Sequence, residues 1–394
     1  MRVPLLDLSG QYTALADPIR AEIDEVLAGQ HFILGPKVQR FEKAVAEFCG
    51  SPHAIGVSSG TDALLAIFMA INLGPGDAVI TSNYSFFATG SCVARVGATP
   101  VFIDIDPVTY NISPEALERY LSSCRRDNDG KLRTAKGDTV RAIVPVHLFG
   151  LCCDMNRITE IAGRFQLSII EDAAQALGAE FRVQDQIAKA GTIGESGTFS
   201  FYPSKNLGAA GDAGMIVCRE EAFARRLRHC RQHGMEPRYY HHFIGGNFRL
   251  DEIQAAILNV KLPHLDEWSA ARRRVADNYR EEFERLGLTE RITLPAEPYR
   301  QDGLTNHHIY HQYVIRAPRR DKLREHLSAR EIGSAIYYPV GLHAQECFRY
   351  LGYQSADFPE TDRAARETVA LPIYPELGRE AQRYVAQSIA EFFA

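Results

Sequence analysis

A lysine and a carboxylate each follow a short apolar segment of this sequence, and together they could do chemistry. Lys205 lies in the run FSFYPSKNLGAAGDAG, and Asp172 ends the run LSIIED. A lysine amine can bond to an aldehyde as a Schiff base, and a carboxylate can keep a pyridine nitrogen protonated so that the ring accepts electrons. Pyridoxal phosphate needs both groups from its protein. The pair therefore predicts this cofactor, with Lys205 and Asp172 as catalytic residues.

The run SSGTDAL offers a place for the phosphate of such a cofactor. Small residues at 58–60 follow an apolar segment, and Thr61 and Asp62 open a predicted helix. The first N–H groups of a helix have no acceptor within it and bind anions readily. Ser200, five residues before Lys205, could add a hydroxyl group. An ordinary capped helix start is the alternative, and this pattern alone does not decide between them.

Short apolar runs alternate with helical stretches along the first half of the chain, which indicates a largely parallel sheet. Ligands of such sheets bind beyond the carboxyl ends of the strands. Asp172 and Lys205 both fall just beyond predicted strand ends, so position and chemistry agree. The predicted strands are AIGV, AVIT, PVFIDI, AIVPV, LSIIED, GTFSF and AGMIVC.

A chain of 394 residues has room for more than one domain. The stretch from Leu250 to about Leu286 has helical periodicity and Pro263 as its one proline, so a bridging helix is predicted there. We assign 1–250 to an N-terminal segment and a large α/β domain, and 251–394 to the bridging helix and a smaller α+β domain. The polar, charged stretch 122–138 is predicted to be an exposed excursion.

Composition argues against several classes of partner. The formal charge is −5 and the isoelectric point about 6.2, so no positive field attracts nucleic acid or an anionic membrane. No apolar run has the length of a membrane span, and the amino terminus lacks the apolar core of a signal peptide, so we predict a cytoplasmic protein. The eight cysteines show no C-x-x-C spacing, and the histidine doublets lack a further ligand, so no metal is predicted.

Six ordered motifs resemble those of the DegT/DnrJ/EryC1/StrS family: SSGTDAL, SFFAT, PVHLFG, EDAAQALGA, FSFYPSKNLGAAGDAG and GGNFRLDEIQAAIL. The resemblance extends from PLLDLSGQY to LPIYPEL, nearly the whole chain. It implies a nucleotide-sugar aminotransferase of the pyridoxal-phosphate fold type I, with glutamate as the usual amino donor. Family members that act as dehydratases carry histidine at the position of Lys205, so the lysine favours amino transfer.

The resemblance also implies a role for each residue of the site. Lys205 would hold the cofactor covalently, and Asp172 would pair with the ring nitrogen. Asn247 would reach the cofactor phosphate of the neighbouring subunit, which implies a homodimer with shared active sites. Without the resemblance, Asn247 would be interpreted as a loop or cap residue, Gln175 as a solvated polar residue and Phe86 as a core phenylalanine. The remaining implied contacts are Gln175 with the ring oxygen, Phe86 with the ring face, and Gly60, Thr61 and Ser200 with the phosphate.

The position that receives the amino group is predicted from three segments. PLLDLSGQY, GQHFILGPKVQRFE and SSGTDAL are more similar to members that aminate C3 of a 3-keto sugar than to those acting at C4. The C4 enzymes more often carry tryptophan where this chain has His31 and Phe32. AIYYPVGLH matches a segment near the sugar, so Tyr338 and His343 are candidate substrate contacts, with a core tyrosine and a surface histidine as alternatives. The nucleotide, dTDP or UDP, and the sugar stay open.

Two rival classes share parts of this pattern. A nicotinamide dehydrogenase would show G-x-G-x-x-G after its first strand, and this sequence has none there. A non-enzymatic ligand-binding or regulatory member of the fold would typically lack the lysine or carry a DNA-binding domain, and neither is seen. Amination at C4 of a 4-keto-6-deoxy sugar remains the alternative within the family.

Overall fold

A nine-stranded sheet forms the centre of the protein in the computed structural model, which describes residues 1–394. The helices are α1 Ser9–Gly29, α2 Pro36–Cys49, α3 Gly60–Ala70, α4 Phe87–Arg95, α5 Pro114–Ser123, α6 Met155–Phe165, α7 Glu221–Cys230, α8 Glu252–Lys261, α9 Leu265–Arg285, α10 Arg320–Ala329, α11 Pro359–Glu367 and α12 Arg379–Phe393. The strands are β1 His53–Val57, β2 Asp77–Ser82, β3 Thr99–Ile103, β4 Arg125–Arg126, β5 Leu132–Arg133, β6 Thr139–Val144, β7 Ser168–Asp172, β8 Glu180–Val183, β9 Gln186–Lys189, β10 Ser196–Ser200, β11 Gly214–Cys218, β12 Tyr313–Arg316 and β13 Thr368–Leu371.

Seven strands of the central sheet lie in the order β1-β11-β10-β7-β6-β2-β3. The five from β10 to β3 are parallel, which confirms the predicted largely parallel sheet. The exception is β11, which runs antiparallel to both β1 and β10. Because β7 and β10 are neighbours, with Asp172 opposite Thr198, the ends of these two strands meet at one edge.

Helices cover both faces of this sheet, as parallel strands require. Alternating residues of a strand point to opposite faces. Val79 therefore belongs to the core on the side of α3, α4 and α7, and the adjacent Ile80 belongs to the core on the side of α1, α2, α5, α6 and α8. Although it follows residue 250, α8 therefore adds its buried side chains to the core of the central sheet. The result is a three-layer α/β/α arrangement that holds the strand ends rigidly.

A second hydrophobic core gathers residues of α9, α10 and α12 and of the strands β12 and β13. It comprises 22 buried residues, which include Tyr279 on α9, Ile315 on β12 and Val385 on α12. The β12–β13 pair is antiparallel, and Val3, near the amino terminus, forms a parallel bridge with Ile332. The first residues of the chain thus belong to the carboxyl-terminal core. The division at residue 250 stays a prediction.

A buried carboxylate on α8 caps the start of α2. The Glu252 side chain accepts hydrogen bonds from the backbone N–H groups of Gly35, Lys37 and Val38, at 2.9, 2.5 and 3.2 Å. These groups have no acceptor within α2, and a negative charge there also suits the helix dipole. The acidic residue of the motif LDEIQ is therefore a structural clamp.

Replacing Glu252 with alanine should lower the free energy of unfolding by about 2–3 kcal/mol, because it leaves buried N–H groups without an acceptor. Urea unfolding followed by circular dichroism measures the change. Glu284→Ala removes an exposed glutamate from α9 and serves as the control. Equal unfolding midpoints for the two variants would contradict the clamp.

The charged stretch 122–138, predicted to be an exposed excursion, forms a short hairpin. Its strands β4 and β5 pair antiparallel, and Arg133 pairs with Thr139 at the first residue of β6. The hairpin therefore extends the sheet at the amino end of β6, away from the edge where Asp172 lies. None of the helices has the length and apolar character needed to span a membrane.

Candidate active site

A cavity of about 610 Å³ opens at the carboxyl ends of β7 and β10. The structure brings eight of the ten predicted site residues together around it and leaves two outside it. The eight are Gly60, Thr61, Phe86, Asp172, Gln175, Ser200, Lys205 and Tyr338, and the two are Asn247 and His343.

Asp172 is the last residue of β7, and its carboxylate is buried and held from two sides. Thr89 donates its hydroxyl hydrogen to Oδ2 at 2.7 Å, and the backbone N–H of Ala174 donates to Oδ1 at 3.2 Å. Thr89 lies in the first turn of α4, so helix α4 and strand β7 together fix the carboxylate. Each carboxylate oxygen thus accepts one hydrogen bond, and the carboxylate also lines the cavity.

Lys205 follows β10 and enters the cavity from a tight turn. Its backbone N–H donates to the carbonyl oxygen of Tyr202 at 2.8 Å. A side chain at Gly208 would place its Cβ 2.3 Å from the carbonyl oxygen of Pro203, so the turn requires glycine there. Burial lowers the pKa of Lys205 to about 8, against an opposing effect of the Asp172 charge. The lysine thus has a far larger neutral fraction near physiological pH than an ordinary lysine, although most of it is still protonated, and this suits a nucleophile and proton carrier.

In the cofactor-free protein, we expect trinitrobenzenesulfonate to label Lys205 with a midpoint near pH 8. Labelling requires the neutral amine, so it should rise with pH through the lowered pKa. Mass spectrometry of the peptide containing Lys205 measures the labelled fraction. The reference for the midpoint is a lysine in a model peptide, whose pKa is about 10.4. A midpoint for Lys205 equal to that reference would contradict the burial effect.

The start of α3 lies against the end of β10 and forms a cradle of small groups. A Cβ on Gly60 would come 2.8 Å from Cβ of Ser200, so no side chain fits there. The hydroxyl of Ser59 accepts the N–H of Asp62 at 3.0 Å. The N–H groups of Gly60 and Thr61 have no acceptor within the chain, and they face the cavity together with Ser200.

Gln175, Phe86 and Tyr338 form another part of the cavity wall. Gln175 accepts the backbone N–H of Phe149 at 2.7 Å and donates to the hydroxyl of Tyr338 at 3.0 Å. These two bonds fix the orientation of the amide. The rings of Phe86 and Tyr338 are 6.2 Å apart. Phe86 is 57% exposed, so its broad face is available to a planar ligand.

His343 anchors the carboxyl-terminal part of the cavity wall from behind. Asn83 Nδ2 donates to His343 Nδ1 at 2.8 Å, and the backbone N–H of His343 donates to Asn83 Oδ1 at 2.9 Å. The hydroxyl of Tyr84 accepts the backbone N–H of Tyr338 at 2.8 Å. These bonds tie the segment 338–343 to the residues just before Phe86. The structure places His343 in this buried network, and its candidate role as a substrate contact stays a prediction.

Glu171, the neighbour of Asp172, points away from the cavity. Its buried carboxylate accepts backbone N–H groups from residues 191, 193 and 194 at 2.6–2.8 Å, and it lies 2.8 Å from Nε2 of His147. Nδ1 of His147 accepts the N–H of Cys153 at 3.0 Å, so Nε2 carries the hydrogen and donates to Glu171. The acidic pair of the EDAAQ motif thus divides its roles: Glu171 clamps β7, and Asp172 faces the cavity.

Asn247 is exposed and lies away from the cavity of its own chain. It belongs to a segment, residues 236–247, that carries large side chains in contact with solvent. Tyr239, Tyr240 and Ile244 are 74%, 68% and 87% exposed. Within one chain the structure does not bring Asn247 to the other site residues.

The residues of the cavity fit pyridoxal phosphate. Lys205 supplies an amine of lowered pKa, and the buried Asp172 can accept the hydrogen of a pyridinium nitrogen. The free N–H groups at Gly60 and Thr61, with the hydroxyl of Ser200, match the acceptor oxygens of a phosphate. Phe86 offers an aromatic face to the ring. A lysine and a carboxylate at the carboxyl edge of this sheet define a pyridoxal-phosphate-dependent enzyme of fold type I.

The chain belongs to the DegT/DnrJ/EryC1/StrS aminotransferase family, whose sequence profile matches residues 14–390. It is 44% identical over 393 residues to the "Pleiotropic regulatory protein" of Geobacillus stearothermophilus, covering 100% of this chain and 99% of that protein. It is 39% identical over 387 residues to a UDP-N-acetyl-3-dehydro-alpha-D-glucosamine 3-aminotransferase of Acidithiobacillus ferrooxidans, covering 98% and 97%. The predicted family and its enzyme class, a pyridoxal-phosphate-dependent sugar aminotransferase, are confirmed.

Solved structures confirm the fold class. A DegT DnrJ EryC1 StrS aminotransferase from Brucella abortus is similar with a TM-score of 0.89 at 36% identity, over 99% of both chains. NtdA from Bacillus subtilis, solved with bound PMP, is similar with a TM-score of 0.84 at 28% identity, over 99% of this chain and 85% of the other. The cofactor predicted from Lys205 and Asp172 is therefore the cofactor of the family.

Two residues of the site were not singled out from the sequence. Thr89 donates a hydrogen bond to Asp172, and His311 lines the cavity together with Lys205. The threonine of SFFAT falls one turn into a helix that starts at the strand edge, and this was the available signal for Thr89. His311 stands in a different part of the chain, and no local pattern pointed to it.

Proposed function

We propose that this protein transfers an amino group from glutamate to the C3 keto group of a nucleotide-linked sugar. The observation that carries the proposal is the placement of Lys205 and Asp172 in one cavity, at the ends of adjacent strands. Support for C3 comes from the relative that is named a 3-aminotransferase and is 39% identical over nearly the whole chain. The motifs near the amino terminus support the same position.

Bound pyridoxal phosphate supplies an electron-accepting ring that disperses the negative charge developing at the reacting carbon. Asp172 holds a proton at the ring nitrogen, and Thr89 and Ala174 keep the carboxylate in place. Lys205 takes a proton from the α-carbon of the amino donor, and later returns one to C3 of the sugar. Its pKa of about 8 suits it to both directions of proton transfer.

The other cavity residues bind and orient. Gly60, Thr61 and Ser200 hold the phosphate, while Gln175 directs its remaining N–H towards the ring oxygen. Phe86 covers the ring face and excludes water. Tyr338, fixed by Gln175 and Tyr84, contacts the sugar.

The shared site of a homodimer is part of this proposal. Lys205 is the only lysine or arginine that lines the cavity of one chain, whereas a nucleotide diphosphate brings at least two negative charges. A second chain can supply polar and positive groups from its segment 236–247, which includes Arg238 and Asn247. The exposed aromatic residues Tyr239 and Tyr240 of that segment suit an interface core.

A complementation experiment tests the sharing. We expect Lys205→Ala and Asn247→Ala homodimers to be nearly inactive, because each lacks one residue at both sites. A mixed dimer has one site with neither substitution, so random reassembly of equal amounts should restore about a quarter of wild-type activity. Refolding the two variants together, and separately as controls, gives the comparison. No recovery in the mixture would contradict a contribution of Asn247 across the interface.

Incubation with glutamate and a panel of 3-keto and 4-keto nucleotide sugars, as UDP and dTDP forms, tests the reaction. We expect 2-oxoglutarate and a 3-amino sugar nucleotide, identified by mass spectrometry and NMR. Amination of the 4-keto sugars alone would overturn the C3 assignment. Failure to bind the cofactor at all would favour a non-enzymatic regulatory role, and a protein named for regulation is among the relatives.

A further inference from the structure

His311 is a buried histidine in the cavity wall that the mechanism above does not use. It lines the same cavity as Lys205 and stands just before β12, at the border of the two hydrophobic cores. Arg272 Nη1 donates to the carbonyl oxygens of Tyr310, His311 and Ile373 at 3.1, 3.5 and 3.0 Å. The backbone that carries His311 is therefore held in place from α9.

The hydrogen bonds of Asn206 determine which nitrogen of His311 carries a hydrogen. Asn206 Nδ2 donates to the carbonyl oxygen of Ile309 at 3.0 Å, so the amide nitrogen faces the backbone. The amide oxygen then lies 3.1 Å from His311 Nδ1 and must accept a hydrogen from it. A neutral imidazole has one N–H and one acceptor nitrogen. Nε2 of His311 is therefore an acceptor.

The ring stays neutral because of its surroundings. Burial, with the positive charges of Lys205 and Arg272, holds the pKa of His311 well below its ordinary value. Asp172 is the anionic group that acts on Lys205 in this cavity. The side chains of Lys205 and His311 both line this cavity.

Both groups are free to meet. Nε2 of His311 has no hydrogen-bond donor within the chain, and Nζ of Lys205 has no acceptor within it. Rotation of the lysine side chain towards His311 therefore breaks no existing bond. Asn206 directly follows Lys205 in the chain, so the residue that sets the His311 tautomer is adjacent to the lysine.

We propose that His311 is a positioning residue for Lys205, and that its Nε2 atom accepts a hydrogen bond from the ε-ammonium group of the lysine when that group is not bound to the cofactor. The inference rests on the proposed function in assigning Lys205 the proton transfers. A neutral acceptor favours the ammonium form, which opposes the effect of burial. It also keeps the amine directed to one side of the cavity between the two halves of the reaction.

Two substitutions separate this role from a structural one. In His311→Asn the amide reaches the position of Nδ1, so the bond to Asn206 can persist but the acceptor in the cavity is lost. In His311→Gln the amide oxygen reaches the position of Nε2, so the acceptor is kept and the bond to Asn206 is lost. A structural role predicts that Gln is at least as harmful as Asn, and the positioning role predicts the reverse.

The readout is the labelling midpoint of Lys205 in the cofactor-free protein. We expect the midpoint to fall by about one pH unit in His311→Asn, since a hydrogen bond from a charged donor is lost. In His311→Gln we expect it to stay at the wild-type value. His311→Val, which also lacks an acceptor, replaces the asparagine variant if that protein does not fold.

An unchanged midpoint in the variant without an acceptor would overturn the proposal, as would an equal fall in His311→Gln. Because this labelling uses cofactor-free protein, it is independent of the sugar substrate. Cofactor loading and amination by the wild type, measured separately, report on the proposed function. If the labelling midpoints follow the expected pattern but the wild type aminates no sugar, the proposed function is wrong and the hydrogen bond between Lys205 and His311 is still supported.

Discussion

Replacing Lys205 with alanine is expected to lower kcat for amino transfer by at least about 10³-fold, because the variant loses both the covalent attachment and the group that moves the proton. The cofactor can still bind through the phosphate cradle and Asp172. Borohydride reduction followed by peptide mass spectrometry should attach the cofactor to the wild-type peptide that contains Lys205, and to no peptide of the variant. Coupled detection of 2-oxoglutarate measures the rate.

Lys43→Ala is the matched control, since Lys43 is an exposed lysine on α2 that forms a long ion pair with Glu47, at 3.8 Å. This variant should keep the wild-type kcat, and borohydride should still attach the cofactor to its peptide that contains Lys205. If Lys205→Ala kept a tenth or more of the wild-type rate, the proton carrier would have to be another residue. A reduced cofactor found on a different lysine would likewise show that Lys205 is not the attachment residue.

Replacing Asp172 with asparagine is expected to lower kcat by about 10²–10³-fold, the effect typical of losing one well-placed electrostatic group. Asparagine keeps the size of the side chain but removes the negative charge that holds the proton on the ring nitrogen. Single-turnover measurement of the first half-reaction with glutamate isolates this step from sugar binding. The absorbance of the bound cofactor should change as well.

Thr89→Val is a milder change that acts on the same carboxylate group. It removes the 2.7 Å hydrogen bond to Asp172 and leaves the charge. A loss of about 3- to 10-fold is expected, equal to one ordinary hydrogen bond. If Asp172→Asn were no worse than Thr89→Val, the charge of the carboxylate would not be the reason that the enzyme needs it.

Local pattern predicted that Lys205 and Asp172 lie at one edge of the sheet, and the structure brings both into one cavity. The alternation of apolar runs and helices predicted the parallel strands, and Lys205 and Asp172 fell at the ends that such sheets use for ligands. What the pattern could not supply was the order of the strands. β11 runs antiparallel between β1 and β10, and β7 pairs with β10 although β8 and β9 lie between them in the sequence.

Contacts between distant parts of the chain account for most of what was missed. Thr89 meets Asp172, and His311 meets Asn206, across gaps that no periodicity reveals. Two acidic residues in prominent motifs, Glu171 and Glu252, bind backbone N–H groups and lie outside the cavity. A motif shows that a residue matters to the fold or to the chemistry, and the contacts decide which.

Both ends of the chain form the wall of one cavity. Leu5 and Leu6 line it together with residues 370, 371 and 373, and the N–H of Ile373 donates to the carbonyl oxygen of Leu5 at 3.4 Å. Two segments that are far apart in the sequence therefore share one wall, although neither is near Lys205 in the sequence. A substitution that disturbs the packing of Leu5 or Leu6 should change the same face of the cavity as one at Leu371 or Ile373.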